Sequence, residues 1–187
     1  MLKTTAFKFV RSVWSSFKAE SGLEPWSLRI INARVGIVSL ELQIKKHHTN
    51  RLQILHGGTI ASMVDLGGSL AVASRGLFAT GVSTDLNVTY LSSGGKVGDI
   101  IRAQATCDKF GKKLAYTSII FYNEKREVFA RGSHTKYVLA AWKDPRNKTG
   151  YTGGHVPDPF AVTICASSSS SLFRRRGGGK RLDNVRR

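Results

Sequence analysis

The sequence is poor in cysteine, in acidic residues and in long apolar runs, and each shortage narrows what it can be. Its two cysteines, Cys107 and Cys165, cannot build a disulfide framework, and they form neither a CxxC pair nor a Cys/His metal spacing. A reducing compartment suits them. No apolar run approaches the roughly 20 residues of a membrane-spanning helix. Against 29 Lys+Arg stand only 12 Asp+Glu, a formal net charge of +17. That imbalance attracts polyanions: nucleic acid, an anionic membrane surface or a phosphate-bearing cofactor. The excess is not confined to one segment, because residues 143–187 carry ten basic against three acidic side chains and the remainder 19 against nine.

Residues 1–26 open with basic positions Lys3, Lys8, Arg11 and Lys18 and no acid before Glu20. Phe7, Val10, Trp14 and Phe17 fall at helical spacing among them. The segment reads as a mitochondrial targeting helix or as an amphipathic first helix of the fold, so the expected location is mitochondrial or cytoplasmic, with peripheral membrane contact open. Gly22 and Pro25 end it. From about 27 to 46 the period becomes two: Val38, Leu40, Leu42 and Ile44 alternate with Ser39, Glu41 and Gln43, a half-buried strand. His47 to His56 is a loop.

Gly57 to Arg75 spans a five-turn helix that is apolar on most sides, so it is expected to be buried. Its small residues, among them Ala61, Gly67, Gly68 and Ala71, admit close neighbours, which must offset roughly 1 kcal/mol per glycine in helix propensity. Four strand-like stretches follow, at 82–91, 99–109, 113–123 and 128–139, separated by turns. Short turns imply an antiparallel meander. The expected fold is therefore α+β, a curved antiparallel sheet around one long central helix, occupying residues 27–142. Residues 143–187, with a serine run, Arg-Arg-Arg and Gly-Gly-Gly, read as a basic, low-complexity, disordered tail.

The chemistry concentrates between His48 and Asp65. Gly57 and Gly58 open the helix, where the first N–H groups lack intrahelical partners and sit at the positive end of the macrodipole. Glycine admits a substrate carbonyl without obstruction, so Gly57 suits an oxyanion hole. Asn50 offers an amide donor, and His56 can orient the turn. Asp65, in an otherwise apolar helix, is the candidate carboxylate to activate water or to attack a carbonyl directly. Eight residues of helix put Gly57 and Asp65 about 12 Å apart, too far for one carbonyl to sit against both. If both act on one substrate, Asp65 comes from a second subunit, and a two-fold dimer with antiparallel helices would supply it. Ser83 lies on a following strand and by period-two counting shares a face with Asp85 and Asn87, which receive no chemical role. Cys107 is mid-strand without a base partner.

The pattern HxNxxxxxHGGxxxxxxD over 48–65, followed by GVSTDLNVTYL and ARGSHTKY, resembles the hotdog superfamily, and within it the small eukaryotic acyl-CoA thioesterases associated with mitochondria. The resemblance covers roughly Lys8 to Tyr137. It implies a hotdog fold, hydrolysis of medium- to long-chain fatty acyl-CoA to fatty acid and CoA, and a homodimer or dimer of dimers. It also implies catalytic roles for Gly57 (oxyanion amide), Asp65 (base or nucleophile), Asn50 and Ser83 (positioning of water and carbonyl), with His56 beside them. CoA, as part of the substrate, would lie along Tyr90, Lys96, Lys109, Lys112, Lys113, His134, Lys136 and Tyr137, with Lys46 near the mouth of the site. No metal or redox cofactor is implied. One departure stands out: Ser92-Ser93-Gly94-Gly95 replaces the family's Ser-Pro turn. Two rival readings remain at this level: a hotdog protein that binds acyl-CoA without catalysis, and a charge-driven nucleic-acid or anionic-membrane binder, for which no specific nucleic-acid module is present.

Overall fold

A computed structural model describes residues 2–21 and 28–148. Most of the expected tail, 149–187, lies outside the described residues. Among those described, no helix is long and apolar enough to cross a membrane.

Helix α1 (Leu2–Ser21) buries Ala6, Phe9, Val10, Val13 and Trp14, the i, i+3, i+4, i+7, i+8 stripe of a core-facing helix. These side chains join the same hydrophobic core as the sheet and central helix, and Phe9 meets Phe78 edge-on at 6.2 Å. Lys8 and Arg11 are exposed on the other face.

The segment read as one strand is a hairpin, β1 (Leu28–Arg34) and β2 (Ile37–Gln43). The chain reverses at Gly36, whose φ of +79° favours glycine. The Arg75 side chain also fills the space a Cβ would need there, 2.9 Å away. The apolar set Val38, Leu40 and Leu42 turns inward as its alternation demands. On the outer face Glu41 is nearly buried between Arg29 and Arg102, and the Arg29 contact holds its carboxyl below the usual range.

The long helix α2 (Gly57–Ala73) runs across the sheet formed by those two strands with β3 (Val82–Tyr90), β4 (Ile100–Phe110), β5 (Leu114–Tyr122) and β6 (Val128–Tyr137). The six strands are all antiparallel, in the order β1-β2-β4-β5-β6-β3. This differs from a simple meander. β3 does not pair with β4, its successor; the 91–99 connection carries the chain across the end of the sheet, pinned by Leu91 N–H to Phe129 O and Gly98 N–H to Ile44 O, both 2.9 Å. β3 therefore becomes an edge strand beside β6.

The fold also runs past the expected boundary at 142. A 3₁₀ turn (Ala140–Lys143) leads into a segment anchored by Asn147, which accepts from Phe78 N–H at 2.8 Å and donates to Ala141 O at 2.9 Å. Arg146 stacks over the Phe78 ring, 3.9 Å from its centroid.

Candidate active site

Local hydrogen bonding builds the start of α2. Asn50 Oδ1 accepts from Leu52 N–H (2.8 Å) and Ile54 N–H (3.4 Å), and Asn50 N–H donates to Ile54 O (2.9 Å). This closes a tight loop in which Gln53 takes a φ of +60°. With its oxygen so used, Asn50 has its NH₂ group left to donate to a substrate. The buried His48 supports the loop from beneath, its carbonyl accepting from His56 N–H at 2.9 Å and Thr59 Oγ at 3.2 Å. Burial, then the charges of His47 and Lys45, push the His48 imidazole down to about 4, so it is neutral at physiological pH.

His56 caps α2: its Nδ1 accepts from Gly58 N–H at 2.8 Å. That bond makes His56 a structural cap and consumes one of the free amides. Gly57 N–H makes no hydrogen bond among the described residues and remains the donor for developing negative charge. Tyr90, expected on the CoA path, packs over this turn. Its hydroxyl donates to Gly57 O at 3.0 Å, and its ring lies 3.3 Å from where a Gly57 Cβ would stand. On one side of the turn lies an open depression of about 670 Å³ lined by Lys46, Asn50 and His56. On the other, a cavity of about 480 Å³ is bounded by Gly57, Tyr90 and Ser92–Gly94.

Two turns further along α2, Asp65 is half-exposed. Ser83 Oγ donates to its Oδ1 at 3.3 Å, and His134 Nε2 lies 2.8 Å from that same Oγ and 3.4 Å from Oδ1. A β-bulge between Ser83 and Asp85 brings the serine there. Directly paired residues share a face, and Ser83 pairs with inward-facing Lys136 whereas Asp85 and Asn87 pair with Thr135 and Ser133 on the outer face. The expectation that Ser83 shares a face with Asp85 and Asn87 is thus corrected: the extra residue at Thr84 flips it toward the helix.

His134 and Lys136 are also corrected from their expected place along an exposed CoA path. His134 is fully buried, and its Nδ1 has no partner. A lone pair can go unpaired more cheaply than an N–H, so the proton sits on Nε2 and the chain of donors runs His134 to Ser83 to Asp65. Burial first, then repulsion by Lys136, hold the imidazole below its usual range, against the pull of Asp65 and Asp85. Lys136 is 4% exposed and donates to Ser69 Oγ at 2.9 Å. Ser69 escaped the sequence reading, although a polar residue four positions after Asp65 in an apolar helix was the available signal. So did the reason for Gly68: a Cβ there would stand 2.6 Å from both His134 Nδ1 and Thr117 Oγ.

The other lysines expected along CoA divide between two ends of the sheet. Lys46 and Lys96 are exposed near Gly57. Lys109, Lys112 and Lys113 are exposed at the β4–β5 hairpin, and Tyr137 lies beside it through its pairing with Leu114. Cys107 is buried, which pushes its thiol up to about 11 and makes it a poor nucleophile. Among the described residues no group of His, Cys, Asp and Glu is placed to hold a metal ion.

A curved antiparallel sheet around one helix, with a glycine-opened helix start and a carboxylate two turns on, defines a class, and the comparisons give it a family. The profile of the Thioesterase superfamily matches residues 52–130. The Schizosaccharomyces pombe protein named "Putative esterase C31F10.02" is 50% identical over 147 residues, 77% of this chain and 91% of that one. Human acyl-coenzyme A thioesterase 13 is 37% identical over 112 residues, 59% of this chain and 79% of its own. Among solved structures, mouse thioesterase superfamily member 2 superposes with a TM-score of 0.61 at 31% identity, covering 70% of this chain and 95% of that one. The chain belongs to the hotdog-fold thioesterase superfamily.

Proposed function

We propose that the protein hydrolyses fatty acyl-CoA thioesters, with medium- to long-chain acyl groups as substrates, at sites shared by two subunits. One observation carries this reading: the two halves of a hydrolytic site lie on one uncovered face of α2 and cannot serve the same carbonyl within one chain. At one end is the unused Gly57 N–H; about 12 Å along the helix is the Asp65–Ser83–His134 group. Between them Gly58, Ala61, Ser62 and Asp65 form a stripe that the chain leaves partly or wholly exposed. Beside it, β3 is a free edge with Val82, Leu86 and Tyr90 exposed. A bare edge strand and a small-residue helix stripe invite a second copy related by a two-fold axis. Antiparallel pairing then sets Gly57 of one protomer against Asp65 of the other, twice. Association of two such dimers, and a mitochondrial or cytoplasmic location, belong to the same proposal.

In this site Gly57 N–H and the Asn50 amide polarise the thioester carbonyl, supported by the helix dipole. Asp65, oriented through Oδ1 by Ser83 and His134, takes a proton from water as the water oxygen attacks the carbonyl carbon. The tetrahedral oxyanion forms against Gly57. It collapses by breaking the C–S bond, and the CoA thiolate recovers the proton from Asp65. The reaction needs no metal or redox cofactor. The names of the human and mouse relatives support a thioester hydrolase, and that of the Schizosaccharomyces pombe relative supports an esterase.

The test is thiol release across acyl-CoAs of graded chain length, for wild type and Asp65→Ala at matched folding and oligomeric state. A loss of about a hundredfold or more is expected. Mixing Asp65→Ala with Asn50→Ala chains should restore about a quarter of wild-type activity, because half of randomly paired dimers regain one intact site. A wild type that binds acyl-CoA without releasing thiol would leave a binding protein in place of an enzyme. Failure of the mixture to recover would refute the shared site.

A further inference from the structure

Lys136 is the buried lysine among the described residues, at 4% exposure. Placing an ammonium inside costs several kcal/mol unless something nearby requires the charge. Its inward neighbours are His134 on β6 and Val138 just beyond the strand, and an apolar side chain beside them would carry no such desolvation cost. Burial pushes its amine below the usual lysine range, and attraction to Asp65 is the opposing influence. The amine donates to Ser69, one helical turn beyond Asp65 on the same face of α2. Ser69 thereby holds the cation close to the carboxylate but out of ion-pair contact; among the described residues Asp65 pairs only with His134.

The charges around the His134 ring explain what the cation does. Asp65 on α2 and Asp85 on β3 draw a proton toward the imidazole, Lys136 on β6 repels it, and β5 presents the uncharged Thr117. A second proton would have to sit on Nδ1, which has no acceptor. An imidazolium would also pair with Asp65 and neutralise the carboxylate that must accept a proton from water.

We propose that Lys136, anchored on Ser69, is a positioning residue whose buried charge disfavours a second proton on His134, so that Asp65 is held by hydrogen bonding through Ser83 and His134 and not by an ion pair. This rests on Asp65 acting as the base. It reassigns Lys136 from a surface phosphate contact to an internal electrostatic guard. The arrangement works through charge, not shape, and this makes it separable from a structural role.

The experiment uses the full chain as Lys136→Gln, which keeps a donor for Ser69 and removes the charge, and as Lys136→Arg, which keeps the charge. Lys136→Met replaces the first where glutamine is not accommodated. Two readouts are taken: the titration midpoint of His134 by NMR of ¹⁵N-histidine-labelled protein, assigned with His134→Gln, and the pH profile of kcat/KM for thiol release. Expected for Lys136→Gln is a rise of about one pH unit in the imidazole midpoint, with the acid limb of the profile rising in step. Above that limb, kcat/KM should stay within about threefold of wild type, and Lys136→Arg should restore the wild-type profile. An unmoved imidazole midpoint, or a loss equal at every pH, overturns the proposal. So does a moved midpoint with an unmoved acid limb. A moved midpoint in a protein whose wild type releases no thiol at any pH sinks the thioesterase reading and leaves the effect of Lys136 on His134 standing.

Discussion

Gly67 and Gly68 are consecutive residues of the same buried helix, yet alanine should act on them in opposite directions. Helix propensity favours either substitution by roughly 1 kcal/mol. At Gly67 the new Cβ would lie 3.4 Å from the Ala105 and Leu40 side chains and 3.5 Å from Ile119, ordinary van der Waals contact. Propensity then decides, and Gly67→Ala is expected to match or exceed wild-type stability by up to about 1 kcal/mol. At Gly68 the Cβ would stand 2.6 Å from His134 Nδ1 and Thr117 Oγ. Neither can yield easily: Thr117 Oγ is bonded to His134 O at 2.8 Å, and the imidazole is fully enclosed. Overpacking of this kind costs about 1–3 kcal/mol, which outweighs the gain in propensity. Relief requires the ring to leave Ser83, so the function suffers more than the fold. Gly68→Ala should lower Tm by about 2–6 °C and reduce kcat at least tenfold, while Gly67→Ala keeps kcat within about twofold. Thermal unfolding followed by circular dichroism and thiol release from one acyl-CoA measure both. Equal behaviour of the two variants, or a fully active and stable Gly68→Ala, would show that Gly68 does not hold the imidazole in place.

Two further outcomes follow from burial. His48 is held at about 4 by burial and neighbouring charge, below its unfolded value near 6.5, so its contribution to stability is complete above pH 6.5 and drains away as pH falls toward 4. The unfolding free energy from urea titrations should fall over that window, by up to about 3 kcal/mol from His48, with His134 acting in the same direction; an unchanged slope in His48→Gln would refute the assignment. Removing residues 1–21 uncovers the surface that Phe9, Val10, Val13 and Trp14 cover, each of them worth about 1.5–3 kcal/mol when buried. The shortened chain should lose more than 10 °C in Tm or aggregate; one that melts like the full chain would show that α1 is dispensable to the core.

How much of this was legible depends on whether the signal was local. The α2 helix, its glycine start and the spacing to Asp65 are written in consecutive residues, and the four strands between 82 and 139 came within two residues at each end. The β1–β2 hairpin was missed because a single glycine, Gly36, marks the turn, and the alternation resumes beyond it. Strand order was missed because pairing of β3 with β6 joins residues some 40–55 positions apart, and no local pattern records that choice. The bulge at Thr84 was invisible for a different reason. A one-residue insertion relative to a partner strand is defined only once the partner is known, so period-two counting placed Ser83 on the wrong face. The same gap misplaced Lys136: a lysine near a strand end reads as a surface charge unless the neighbouring helix is in view.

The strand-order result also bears on the excess of positive charge. Along β3, Tyr90 and Ser83 are seven residues apart, about 23 Å in an extended strand. Tyr90 lies with Gly57, Lys46 and Lys96 at one end; Val82 pairs with Tyr137, which pairs with Leu114 of the lysine hairpin at the other. Within one chain these two basic groups cannot touch the same nucleotide. Antiparallel pairing of two β3 edges reverses the order in the second copy and brings its Lys109–Lys113 hairpin toward the Gly57 end of the first. The geometry that joins an oxyanion donor to a carboxylate would then also join two separate clusters of lysine around one phosphate-bearing substrate. On the proposed function, catalysis and phosphate binding would draw on different residues and on the same two-fold partner.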